Sequence, residues 1–202
     1  MTDYLIQQAT DEYWPLMLLT NHIHRTYTDR HDLEFVIQCG RLVEDRHIGW
    51  DKVEMLLWLV RMPDTGLILW VDADAMAIGH RDPREALPDD YVIGMTRHPG
   101  RTTPDTVNAG VIFLRACPQV EEWLMEVQSR APGVWPWFEQ DIMNELLYRP
   151  EWEGRYVSLS HVWNSTVIHG HPEECEIRAW HGGGTPVSRF AKMQADILRR
   201  GL

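Results

Sequence analysis

The sequence contains no apolar run approaching the roughly 18–20 residues that cross a bilayer, and its opening, MTDYLIQQAT, lacks the basic-then-apolar order of an export signal. Both absences lead us to expect a soluble, unexported chain with a cytoplasmic location. Cysteine is scarce: Cys39, Cys117 and Cys175 have no CxxC spacing and cannot all pair, which suits buried thiols in a reducing compartment better than a disulfide framework. Lysine is scarcer still, with only Lys52 and Lys192. Positive charge is short overall. A net charge of −11 opposes unassisted binding of polyanions, so a phosphate-bearing ligand needs a metal ion or a local basic patch, for which Arg81–Arg84 and Arg97–Arg101 are the candidates. There is no repeat, linker or low-complexity tract. The 202 residues, 44% hydrophobic and 24% charged, therefore read as one domain spanning residues 1–202.

What is present alternates strand and helix. YLIQQAT reads as a strand, and Asp11 is positioned to cap an apolar-periodic helix from Tyr13 to about Tyr27. LEFVIQC predicts a second strand, GWDKVEMLLWLVRM a helix that stops at Pro63, and GLILWV a buried strand. DYVIGMT and VNAGVIFLRA follow as strands, then helices at PQVEEWLMEVQSR and FEQDIMNELLYR. RYVSLS and EIRAW predict short strands, HGGGTP a turn, and SRFAKMQADILRR a last helix. This order predicts an α/β fold with a Rossmann-like, mainly parallel sheet flanked by helices.

The buried strand ends in Asp72-Ala73-Asp74, where open α/β sheets collect their ligands. In an extended segment the two carboxylates leave the same side, and small Ala73 lets a ligand approach. Carboxylates that close repel each other, and a divalent cation with hard oxygen ligands, Mn²⁺ or Mg²⁺, relieves the repulsion while keeping positions open for phosphate oxygens.

LILWVDADAMAIG, NAGVIFLRA, EQDIMNELL, HVWN and AWHGGG, in that order, resemble nucleotide-sugar-dependent glycosyltransferases of the GT-A fold, in particular the galactosyl- and mannosyltransferases of yeast and plants, and more distantly glycogenin-like enzymes. NHIHRTYTDRHDLEF and WDKVEMLLWLV are also similar to that group, so the resemblance runs from about Asn21 to Arg189. It implies a nucleoside-diphosphate sugar as donor, often a UDP-sugar, a hydroxyl acceptor, and Asp72 and Asp74 as ligands of the metal that holds the diphosphate. The third ligand it implies is a histidine, for which His181 matches best, with His161, His169 and His171 as alternatives. Gly182, Gly183 and Gly184 would let the backbone approach phosphate, although a plain turn also explains them. A basic residue after this turn is implied to steady the leaving diphosphate, and Arg189 and Lys192 are both candidates.

By the same resemblance Asn108, Ala109 and Gly110 line the sugar pocket, although a strand starting after a turn also explains them, and Asn164 lies near the acceptor; Lys52 is either an aid to donor binding or an exposed helix residue. EQD at 139–141 supplies a carboxylate near the anomeric carbon, with Asp141 the first choice and Gln140 and Glu139 behind it; an acidic helix start also has a purely dipolar explanation. Trp135, Trp137 and Trp163 offer stacking faces, while core packing explains most of the ten tryptophans. The resemblance favours retention of configuration. The acceptor expected first is a glycan or small molecule, with hydroxymethylated pyrimidine in DNA second because of the net charge. A non-catalytic module that binds a nucleotide sugar or glycan is the remaining alternative. A phosphohydrolase also ends a strand with DxD, but it requires a lysine followed by paired acids, and only Lys192 and then Asp196 follow here.

Overall fold

The computed structural model describes residues 1–98, 106–130, 138–166, 174–180 and 184–202. Its elements in chain order are β1 (Thr2–Ala9), α1 (Trp14–His31), β2 (Glu34–Cys39), α2 (Gly49–Arg61), β3 (Thr65–Val71), β4 (Ala75–Ala77), β5 (Ile93–Arg97), β6 (Val107–Arg115), α3 (Pro118–Ser129), α4 (Phe138–Leu147), β7 (Tyr156–Leu159), β8 (Ser165–Thr166), β9 (Ile177–Ala179) and α5 (Pro186–Arg200). The main sheet has the order β2-β1-β3-β6-β5-β7, and only β6 runs against the other strands. This is the expected mainly parallel α/β architecture. β3 is buried along its whole length, as a strand covered on both faces must be, which accounts for its unbroken apolar run.

One face of the sheet packs on α2, α3 and α4 through Trp50, Leu56, Trp123, Leu124 and Met143. The other face holds Tyr27, Phe113 and Trp163 beneath α1 and a small second sheet, β4-β9-β8. α2 ends where the residue before Pro63 turns extended, because proline disfavours a helical predecessor. α5 starts on Thr185, whose hydroxyl accepts from Ser188 N, and stops at Gly201 with φ of 70°.

Several local expectations need correction. Asp11 does not cap α1; Tyr13 occupies that position without a side-chain bond, and Pro15 opens the helix. The thiols are not all buried, since Cys39 ends the edge strand β2 and is exposed; all three cysteines are free. The basic turn at 81–84 is consumed internally, with Arg81 3.3 Å from Glu176 and Arg84 2.6 Å from Asp3. No helix among the described residues is long and apolar enough to cross a membrane.

Candidate active site

β1 and β3 are parallel neighbours, so their carboxyl ends open on the same edge. There a cavity of about 880 Å³ is lined by Gln8, Ala9 and Thr10 at the end of β1, by Gly49 and Lys52 of α2, by Trp70 and Asp72 to Asp74 at the end of β3, and by Arg189 of α5. The Asp-Ala-Asp segment is not extended as expected: Ala75 N donates to Asp72 O at 2.9 Å, and this turn carries the chain into β4. The two carboxylates take different partners. The Asp72 side chain is 33% exposed, and its Oδ1 accepts from Trp70 Nε1 at 2.6 Å and lies 3.1 Å from Lys52 Nζ. The Asp74 side chain is 5% exposed, and its Oδ2 accepts from Arg189 Nη1 at 2.6 Å. Burial, and next the charge of Asp72, push the Asp74 carboxyl up to about 6 despite the pull of Arg189.

Lys52 is buried, whereas an ordinary helix-surface lysine would be solvated. Its ammonium donates to Ala109 O at 2.7 Å and to Glu139 Oε1 at 3.3 Å. Burial works against its charge, but the carboxylates of Asp72 and Glu139 outweigh that and raise its pKa. Glu139 in turn lies against the start of α2, where a Cβ on Gly49 would come within 1.9 Å of its Oε2, so glycine is required for this approach.

Gln140 Oε1 accepts from Ala109 N at 2.9 Å. The Ala109 peptide is thus gripped from α2 on its carbonyl and from α4 on its amide. Gly110 O accepts from Asp72 N at 2.8 Å, which fixes this segment of β6 to the Asp72–Asp74 turn. The β5–β6 register shifts here, between Met95 and Thr96, and such an irregularity re-aims the side chains on either side of it. Asn108 Oδ1 accepts from Gly110 N at 2.7 Å and from Asn164 Nδ2 at 3.2 Å, so a residue expected on the sugar and one expected on the acceptor are bonded to each other.

Of the residues singled out in the sequence, the cavity brings together Lys52, Asp72, Ala73, Asp74 and Arg189. Arg189, rather than exposed Lys192, is the basic residue placed on the motif. Asp141 is half-buried in the first turn of α4 and is not among the described residues that line the cavity. Trp163 packs edge-on against Phe113 at 5.4 Å, so its ring serves the core. Gly184, with φ of 102°, sits where a Cβ would meet Ser188 Oγ at 2.6 Å, which favours the turn explanation for that glycine. His161 is exposed. His169, His171, His181, Gly182, Gly183, Trp135 and Trp137 lie outside the described residues. Among the described residues no group of three or more metal-ligating side chains converges. Sequence reasoning missed Trp70, whose position two before Asp72 on the same side was the available signal, and it missed Gln8.

The fold is shared with solved structures. The glycosyltransferase involved in glycosylation of the major capsid of PBCV-1 superposes with a TM-score of 0.78 at 16% identity, over 96% of this chain and 100% of that one. The chain has the GT-A glycosyltransferase fold. The galactosyltransferase LgtC, solved with donor and acceptor sugar analogues, gives 0.62 at 14% identity over 96% and 95% of the two chains. GlyE of Streptococcus pneumoniae TIGR4 gives 0.63 at 12%, over 100% of this chain and 64% of that one. No family model matches the sequence, and no curated protein matches it.

Proposed function

We propose that this GT-A domain is a metal-dependent transferase that moves a hexose from a nucleoside-diphosphate sugar, a UDP-sugar in the first instance, to a hydroxyl of a glycan or small molecule, with retention of configuration. The observation that carries the reading is the pair Asp72 and Asp74 on one wall of a cavity at the carboxyl edge of the sheet, with Lys52 and Arg189 beside them. The likeness of the motifs to yeast and plant galactosyl- and mannosyltransferases supports a hexose as the transferred group.

Each carboxylate gives one oxygen to its basic partner and has a second for a cation, so the donor set fits Mn²⁺ or Mg²⁺, with His181 as the proposed third ligand. Bound there, the ion would supply charge for the departing diphosphate. The residues supply the rest. Arg189 and Lys52 present positive charge to the leaving phosphates from two elements, and neither needs to be recruited from solvent. Glu139 holds the Lys52 ammonium in place, and Gln140 holds the Ala109–Gly110 backbone beside Asp72. We assign to Asp141 the negative charge that supports positive charge developing at the anomeric carbon. In a retaining displacement the departing phosphate oxygen accepts the acceptor's proton, so no separate base is required.

Incubation with a set of nucleotide sugars and Mn²⁺, reading which nucleoside diphosphate is released, tests the proposal. One donor should be hydrolysed slowly, and excess chelator should stop it. Silence with every donor would return the chain to a binding module, and full turnover in chelator would remove the metal.

A further inference from the structure

Trp50, Trp70 and Trp123 belong to one core cluster between the sheet and its helices, and none is more than 2% exposed. Nε1 of Trp50 and of Trp123 has no hydrogen-bond partner, so this core takes an indole without using its N–H. Trp70 is different. It reaches the wall of the cavity, and its Nε1 donates to Asp72 Oδ1 at 2.6 Å, a short bond of the kind made to carboxylates.

Asp72 is held on every side but one. Its N–H donates to Gly110 O at 2.8 Å, and its O accepts from Ala75 N at 2.9 Å and from Gln7 Nε2 at 3.3 Å. Its Oδ1 accepts from Trp70 and lies 3.1 Å from Lys52 Nζ. Among the described residues nothing donates to Oδ2, and the side chain opens on the cavity. The two groups on Oδ1 act differently. Lys52 offers a compact charge with three rotatable donors, which attracts a carboxylate without fixing its plane. The indole has one donor on a rigid ring, and core packing fixes that ring. A carboxylate pinned there by one oxygen turns the other outward, ready for a ligand that carries positive charge. The Lys52 ammonium also lies 5.3 Å from the centre of the Trp70 ring, so the ring face holds the ammonium while its edge holds the carboxylate.

We propose that Trp70 is a positioning residue, which pins Oδ1 of Asp72 and thereby presents Oδ2 to the divalent cation; this role rests on the metal-dependent reading above. Partners that orient a metal ligand without touching the metal set its affinity by about 10- to 100-fold.

Titration of Mn²⁺ followed by the electron paramagnetic resonance of the free ion, alone and with UDP or GDP, tests it on the wild-type chain and on Trp70→Phe, Trp70→Met and Trp50→Phe. Trp70→Phe should weaken Mn²⁺ about tenfold or more. Trp50→Phe deletes an N–H that has no partner and should leave Mn²⁺ affinity within about twofold. Both remove similar ring volume, so both lower the melting temperature, and only the first moves the metal. Trp70→Met fills the space with a flexible side chain, offers no donor, and should repeat the Trp70→Phe result. With a donor that the wild type hydrolyses, Trp70→Phe should need about tenfold more Mn²⁺ for half-maximal turnover and recover most of the wild-type kcat once Mn²⁺ saturates. Unchanged or tighter Mn²⁺ binding in the Trp70 variants that fold, or equal weakening in Trp50→Phe, overturns the proposal. So does a loss of kcat that saturating Mn²⁺ does not restore, which would make Trp70 ordinary packing. A wild-type chain that binds no Mn²⁺, alone or with either nucleotide, sinks the metal-dependent reading itself, and this inference with it.

Discussion

Asp196 and Asp74 are each buried against arginine, with opposite outcomes. On the small sheet, Arg178 is 1% exposed and donates from Nη1 to both oxygens of Asp196 at 3.0 Å, while Arg199 and Arg200 close on the same carboxylate. Burial works against Asp196, but the hydrogen bond from Arg199 and the charges of Arg178 and Arg200 hold its carboxyl below the usual range. At the cavity, Asp74 has Arg189 yet is pushed up to about 6, because it is buried and faces Asp72. The first carboxylate is saturated and locks α5 onto β9. The second is left short of positive charge beside open space, the condition that a cation relieves.

Substitutions should separate the two roles. Asp72→Asn removes a charge that faces the cavity, and we expect transfer to fall about a thousandfold or more, with the melting temperature within about 3 °C of wild type. Donor turnover in Mn²⁺ beside a thermal melt checks this, and an active variant would show that the motif is ordinary surface. Asp196→Ala should do the reverse. It strands a buried guanidinium, so stability should drop by about 3–5 kcal/mol in urea unfolding, while turnover per folded molecule stays within about threefold well below the melt. The double variant Arg178→Met/Asp196→Leu should recover most of that loss.

The difference between the two regions also marks what the sequence carried. The strand ending in Asp72 was legible because a strand covered on both faces must be apolar throughout, and a charge then announces its end. α2 was legible from its period and its stop at Pro63. The direction of β6 was not, since alternation along a strand is the same whichever way the strand runs. β4, β8 and β9 are two or three residues long, too short for a period to show. The ion pairs were hidden for a different reason: Lys52 meets Glu139 across 87 residues and Arg189 meets Asp74 across 115, distances over which no local pattern connects residues. Asp72 and Asp74 could be named from sequence, but which cation each one faces could not.

α4 offers a way to sharpen the comparison inside the site, because Glu139 is tied to Lys52 while Asp141 is not placed on that ammonium. Asp141→Asn keeps the shape and removes the charge. If it acts on the sugar, single-turnover rates should fall about a hundredfold, with donor and Mn²⁺ affinities nearly unchanged in calorimetry, as for an interaction made mainly in the transition state. Weaker donor binding with an intact rate would make it a clamp on a sugar hydroxyl instead, and no change in either would leave it as an acidic helix start.

The smallest effect concerns a buried group kept neutral. His24 of α1 accepts a hydrogen bond from Ala77 N at 3.2 Å through Nε2, which fixes β4 to the helix, and its ring stands edge-on to Phe35. Burial, and after it His22, lower its pKa from 6.5 to about 3. The unfolded chain therefore takes up a proton on this residue at a pH where the folded chain does not. Stability from His24 is complete above the unfolded value and is lost as pH falls from there toward the folded one, by about 2 kcal/mol between about pH 8 and about pH 5. His31 and His47 are also lowered, first by burial, and add the same sign, whereas Asp74, raised, opposes them over part of the window. His24→Gln keeps an acceptor for Ala77 N–H and does not titrate, so the wild-type minus variant difference cancels those three groups. Urea unfolding across this range should give a difference that grows against the wild type on acidification. A flat difference would place the imidazole in contact with solvent and remove it as the buried tie between α1 and β4.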